Sequence, residues 1–117
     1  MSGFRVAAKI LLAGATLALA SPAHASPVRT IRAACGVAKV RVAADLHRPL
    51  SSIPSCEALS AANSPRGFYV LVMRGGCKEE ICGSTLIGWY AVQKRTGRVF
   101  VWDVAEMRLG PPLSRRP

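Results

Sequence analysis

The stretch Thr85-Leu86-Ile87-Gly88-Trp89-Tyr90-Ala91-Val92-Gln93-Lys94-Arg95-Thr96-Gly97-Arg98-Val99-Phe100-Val101-Trp102-Asp103 decides the fold. Two runs of aromatic and β-branched residues flank the polar segment Lys94–Gly97, and such residues suit a pleated, half-buried backbone. Gly97 is suited to the left-handed position that closes a tight turn. The segment therefore reads as an antiparallel hairpin. Upstream, Phe68-Tyr69-Val70-Leu71-Val72-Met73 is an apolar run of strand length ended by Arg74-Gly75-Gly76. An unbroken apolar run predicts a central strand covered on both faces. The three runs make a three-stranded antiparallel meander.

Downstream, Asp103 and Glu106 have capping-box spacing, and Gly110-Pro111-Pro112 supplies a stop. Val104–Leu109 is thus expected as a short C-terminal helical turn. Pro49 to Pro65 is irregular, with one helical turn expected from Ser55 as N-cap through Cys56-Glu57-Ala58-Leu59. Val28 to Leu46 admits two readings. At 100° per residue Val28, Ile31, Cys35, Ala38, Val42 and Leu46 form one stripe, which predicts an amphipathic helix. Ala38-Lys39-Val40-Arg41-Val42 alternates as a strand would, and Gly36 weakens a helix. Helix is the preferred reading, ending near His47-Arg48-Pro49 because proline restricts the residue before it. The expected fold is α+β: a small single domain with an N-terminal helix packed on a three-stranded antiparallel meander. A mostly β domain is the alternative.

Residues 1–25 divide into the parts of a secretory signal peptide. Arg5 and Lys9 are the basic segment, and Ile10–Ala20 is an uncharged apolar run. Ala23-His24-Ala25 is a small-x-small cleavage site. The apolar run is shorter than the roughly 20 residues a spanning helix needs. Cys35 lies too far downstream for lipid attachment. The expectation is a cleaved signal, a secreted domain at 26–117, periplasmic or extracellular localisation, and no transmembrane segment after cleavage.

All four cysteines fall after residue 25, and an even number in an exported small chain predicts disulfide bonds. Cys77 and Cys82 bracket the connection between the first two predicted strands, so a local Cys77–Cys82 bridge is preferred, with Cys35–Cys56 as the second. Three pairings are compatible with the sequence. A redox pair would favour Cys-x-x-Cys spacing, and short zinc-ligand pairs are absent. No metal or cofactor is expected.

The net charge of +10 includes two units from Arg5 and Lys9, and arginine dominates the rest. Such a balance attracts anionic partners: another exported protein, envelope lipid or a wall polymer. Nucleic acid is disfavoured, since no basic helix or aromatic-studded basic strand pair is evident. His47 has no nucleophile motif and no second histidine beside it. Asp103 and Glu106 serve a cap, and Glu79 and Glu80 lie on a charged loop. Gly75-Gly76 lacks a following helix to aim backbone N–H groups at a phosphate. The expectation is a protein without catalytic activity. Trp89, Tyr90, Phe100 and Trp102 share one hairpin with Arg95 and Arg98. Alternation prevents all four rings from facing one way. These six residues form the candidate binding surface, because aromatic and arginine side chains dominate protein interfaces.

The stretch Trp89–Asp103, with its tyrosine-x-valine strand end, Thr-Gly turn and valine-bearing return strand, resembles the end of PepSY-type or cystatin-like secreted domains. The resemblance covers about a sixth of the region after residue 25. It implies a helix on a small antiparallel sheet and a binding or inhibitory role. The four cysteines and the proline-rich middle depart from that pattern. The function expected is a non-enzymatic binding protein of the bacterial envelope, such as an inhibitor or immunity-type partner of another exported protein. Alternatives are an envelope hydrolase using an acid pair, or a basic protein docking on anionic lipid or wall polymer.

Overall fold

A computed structural model describes residues 26–77 and 83–114. Residues 1–25, with the expected signal peptide, and Cys82 lie outside the described residues.

The preferred helix forms as α1, Ile31–Asp45. Thr30 caps it, its Oγ1 accepting the Ala33 N–H at 3.0 Å, which satisfies one of the donors a helix start leaves open. Ala38–Val42, whose alternation also admits a strand, lies within α1. The buried face is Ala34, Ala38, Val42 and Ala43. It is rotated from the expected stripe: Ile31 is 49% exposed and Leu46 is exposed, while Val28 lies outside the helix. Alanine contributes little to an apolar periodicity, yet its small side chain lets a helix lie close to a sheet. Past Leu46 the chain reverses through His47, whose φ is +53°. The His47 N–H donates to the Ala44 carbonyl and the Arg48 N–H to the Ala43 carbonyl. This is the Schellman pattern, with histidine where glycine is usual.

The sheet has five strands, not three: β1 (Ser55–Ala58), β2 (Phe68–Arg74), β3 (Leu86–Gln93), β4 (Val99–Asp103) and β5 (Arg108–Pro112). They form an antiparallel meander in chain order. The β3–β4 hairpin is as read from the sequence, with Ala91 opposite Phe100 and Val92 opposite Val99. β1 replaces the helical turn expected after Ser55; Cys56 pairs with Met73 and Ala58 with Leu71. A disulfide joins Cys35 to Cys56, tying α1 to β1. Cys77 is disulfide-bonded as well, and its predicted partner Cys82 lies outside the described residues.

β5 replaces the C-terminal helical turn. The cap read from the sequence does form, with Asp103 Oδ1 accepting the Glu106 N–H at 3.0 Å. The same bond closes an ordinary turn, and here Met107 takes φ +54° and sends the chain back along β4. A helix of so few residues has an unfavourable nucleus and few bonds to offset it. The strand instead places Leu109 opposite Trp102. Pro111 and Pro112 are tolerated because β5 is an edge strand.

One core lies between α1 and the sheet, formed by Ala34, Ala38 and Val42 with Leu71, Met73, Tyr90, Val92 and Val99, and by Ile53 from the connection after α1. Val28 closes it from an N-terminal strap. Its N–H donates to the Lys94 carbonyl at 2.7 Å and it is 4% exposed. Gly97, at φ +75°, serves both the turn and the strap, since a Cβ there would stand 3.1 Å from the Ser26 carbonyl oxygen. Among the described residues, no helix is long and apolar enough to cross a membrane.

Candidate interaction surface on the second face of the sheet

Strand alternation divides the sheet's side chains into two sets. Tyr69, Leu71 and Met73 of β2, Tyr90 and Val92 of β3, and Val99 and Val101 of β4 face α1. Phe68 and Val70 of β2, Trp89 and Ala91 of β3, and Trp102 of β4 form a second apolar cluster on the opposite face. Of the described residues outside the strands, Leu59 alone joins it. The reading of β2 as covered on both faces by other elements thus holds for the helix side. On the second side, among the described residues, rings take the place of a covering helix.

The register explains how. Ala91 lies between Val70 on β2 and Phe100 on β4. The rings of Phe68 and Phe100 meet edge to face across the intervening strand, with centroids 6.0 Å apart. That leaves Ala91 wholly buried although its own side chain is a single methyl. Offset and edge-to-face ring pairs are the favoured aromatic geometries. Val72 stands opposite Trp89, and Trp102 opposite Leu109, so a second apolar row runs beside the first. Phe68, Trp89 and Phe100 remain half-buried and Leu109 is exposed. The Arg98 guanidinium lies over the Phe100 ring at 5.5 Å, within the range of cation–π attraction.

The six residues singled out from the sequence are divided by this geometry. Trp89, Phe100 and Trp102 share the ring-covered face, with Arg98 stacked at its end. Trp102 is only 5% exposed, so it is a support beneath that face. Tyr90 points to the helix side and is 7% exposed. Burial, then the Asp45 carboxylate, raise its phenol pKa above the ordinary value near 10.0, with Arg48 opposing. Arg95 is exposed in the turn after β3. Phe68, Val72 and Leu109 were missed. The alternation Phe68-Val70-Val72 was present, but it was hidden within a run apolar at every position.

Groups that carry chemistry elsewhere have structural positions here. His47 occupies the left-handed end of α1, and Asp103 holds the β4–β5 turn. Among the described residues, no group of three or more His, Cys, Asp or Glu side chains is placed to hold a metal ion. Comparison with protein-family models, characterised proteins and solved structures gives no match to this chain.

Proposed function

We propose that this is an exported, non-enzymatic binding domain that engages another envelope protein through the ring-covered face of its sheet. The observation that carries the reading is the Phe68, Trp89 and Phe100 surface, half-buried by its own rings and with no described helix laid over it. Apolar surface left exposed beside polar residues is what marks interaction sites on soluble domains, and these three rings are the part of this face that solvent still reaches. Aromatic and arginine side chains supply most of the energy at protein interfaces. The likeness of the hairpin to PepSY-type and cystatin-like domains is compatible with an inhibitory or immunity-type partner role. Export rests on the signal read in residues 1–25, and the Cys35–Cys56 bond suits an oxidising compartment.

The test is affinity capture from envelope extract with residues 26–117, washed at low salt and at 1 M salt, where screening shortens to about 3 Å. Phe100→Ala and Trp89→Ala are the informative variants, since truncating the buried Trp102 would disturb the fold itself. One protein retained at high salt and lost with both variants supports the reading. Retention of lipid or wall polymer alone, released by salt and indifferent to the variants, contradicts it in favour of charge-only docking.

A further inference from the structure

Three chain segments converge on the backbone of Lys94. Its carbonyl accepts the Val28 N–H at 2.7 Å, and its N–H donates to the Gly67 carbonyl at 2.8 Å. The N-terminal strap, the entry to β2 and the β3–β4 turn are thereby fastened at one end of the sheet. Each brings cations with it: Arg29 beside Val28, Arg66 beside Gly67, and Lys94, Arg95 and Arg98 in or next to the turn, all five exposed.

The described carboxylates lie elsewhere. Asp103 and Glu106 form the β4–β5 turn at the opposite end of the sheet. Glu57 is opposite Val72, well along β2 from Phe68, and Asp45 is close enough to Tyr90 to act on its phenol. With 16 lysines and arginines against six aspartates and glutamates in the whole chain, neutralisation by side chains is limited in any arrangement. The cationic end is also continuous with the ring-covered face. Phe68 follows Arg66 by two residues, and Arg98 stacks on Phe100.

We infer that the partner presents an acidic polypeptide segment carrying apolar residues, the acids lying over Arg29, Arg66 and Arg95 and the apolar groups over Phe68 and Phe100. This rests on the proposed function and specifies its partner. The Lys94 ammonium is turned to the Tyr69 ring on the helix side. Phe68 and Phe100 are half-buried in the face of the sheet rather than raised on a loop, so a partner's side chains can cover them while they reach little into a bilayer. This favours a polypeptide over a lipid surface. Complementary charge of this kind speeds encounter and fixes orientation more than it adds final affinity.

Binding of residues 26–117 to two synthetic probes decides the matter: poly-L-glutamate, and a glutamate-rich peptide of equal charge with interspersed leucine and tryptophan. Vesicles of phosphatidylglycerol are a third arm. The double variant Arg66→Glu/Arg95→Glu is compared with Arg74→Glu/Arg108→Glu, an equal charge change on exposed residues away from that end. Circular dichroism confirms that each is folded. The expected result is tighter binding of the mixed peptide than of poly-L-glutamate, weakened about tenfold by the first variant and far less by the second. Equal weakening by both variants, preference for the vesicles, or no binding of either peptide overturns the inference. Loss with Phe100→Ala but not with Arg66→Glu/Arg95→Glu would overturn it and leave the aromatic-face reading standing. Loss with the charge variant alone would overturn that reading as well.

Discussion

His47 holds a backbone conformation that costs an L-residue about 1–2 kcal/mol, in return for the two bonds that close the end of α1. Glycine adopts it freely but adds freedom to the unfolded chain. His47→Gly is therefore expected to stabilise the domain by about 0.5–1 kcal/mol, read from the urea midpoint. A loss of stability would show that the imidazole itself supports the fold. Tyr90 gives a pH dependence whose sign is fixed by its raised pKa. The unfolded chain releases the phenol proton near pH 10 while the folded chain still holds it. The contribution is full below the unfolded pKa and is lost as pH rises through the folded one. From pH 9 to 11, wild type should lose more stability than Tyr90→Phe; equal losses would show that the shift has no energetic weight. Neither role was legible beforehand. Nothing local marks His47 for a left-handed position, and no signal in the hairpin says which face the helix covers, so Tyr90 is not separable from Trp89 and Phe100 by pattern alone.

At the scale of elements, what was legible followed how much of each pattern was local. β2, β3, β4 and the turn between the last two were readable because β-branched and aromatic density is a property of the segment itself. α1 was readable in kind, but its buried face was displaced because alanines do the packing. β1 and β5 were not readable. Ser55-Cys56-Glu57-Ala58 has no strong strand propensity and becomes a strand by pairing with β2. Asp103 and Glu106 carry a helix-start signal whose hydrogen bond forms without the helix. The strap at Val28 was read as part of the helix, since nothing local marks it as a partner of Lys94. The Cys35–Cys56 bond links two of these elements across 21 residues. Closing a loop of that length restricts the unfolded chain by about 3 kcal/mol. Replacing both cysteines by serine should lower unfolding free energy by about that amount, measured by denaturant unfolding. A change below about 1 kcal/mol would mean that helix and strand are held together by packing alone.

The whole molecule is two-sided. Among the described residues, α1 covers one face of the sheet and rings rather than a second layer cover the other, with cations gathered where strap, β2 and turn meet. The candidate surface was half legible in the sequence: the hairpin aromatics were identified, but strand order and register were needed to join Phe68 to Phe100 and remove Tyr90. The claim that this second face is where a partner binds is tested most directly by isotope-labelled residues 26–117 titrated with the captured envelope protein and followed by NMR. The account predicts perturbed side-chain signals at Phe68, Trp89 and Phe100 and backbone shifts at Arg66 and Lys94–Arg98, with Arg32, Gly36 and Val40 on the outer side of α1 unchanged. Perturbation centred on Arg32, Gly36 and Val40, with the aromatic signals unmoved, would contradict it.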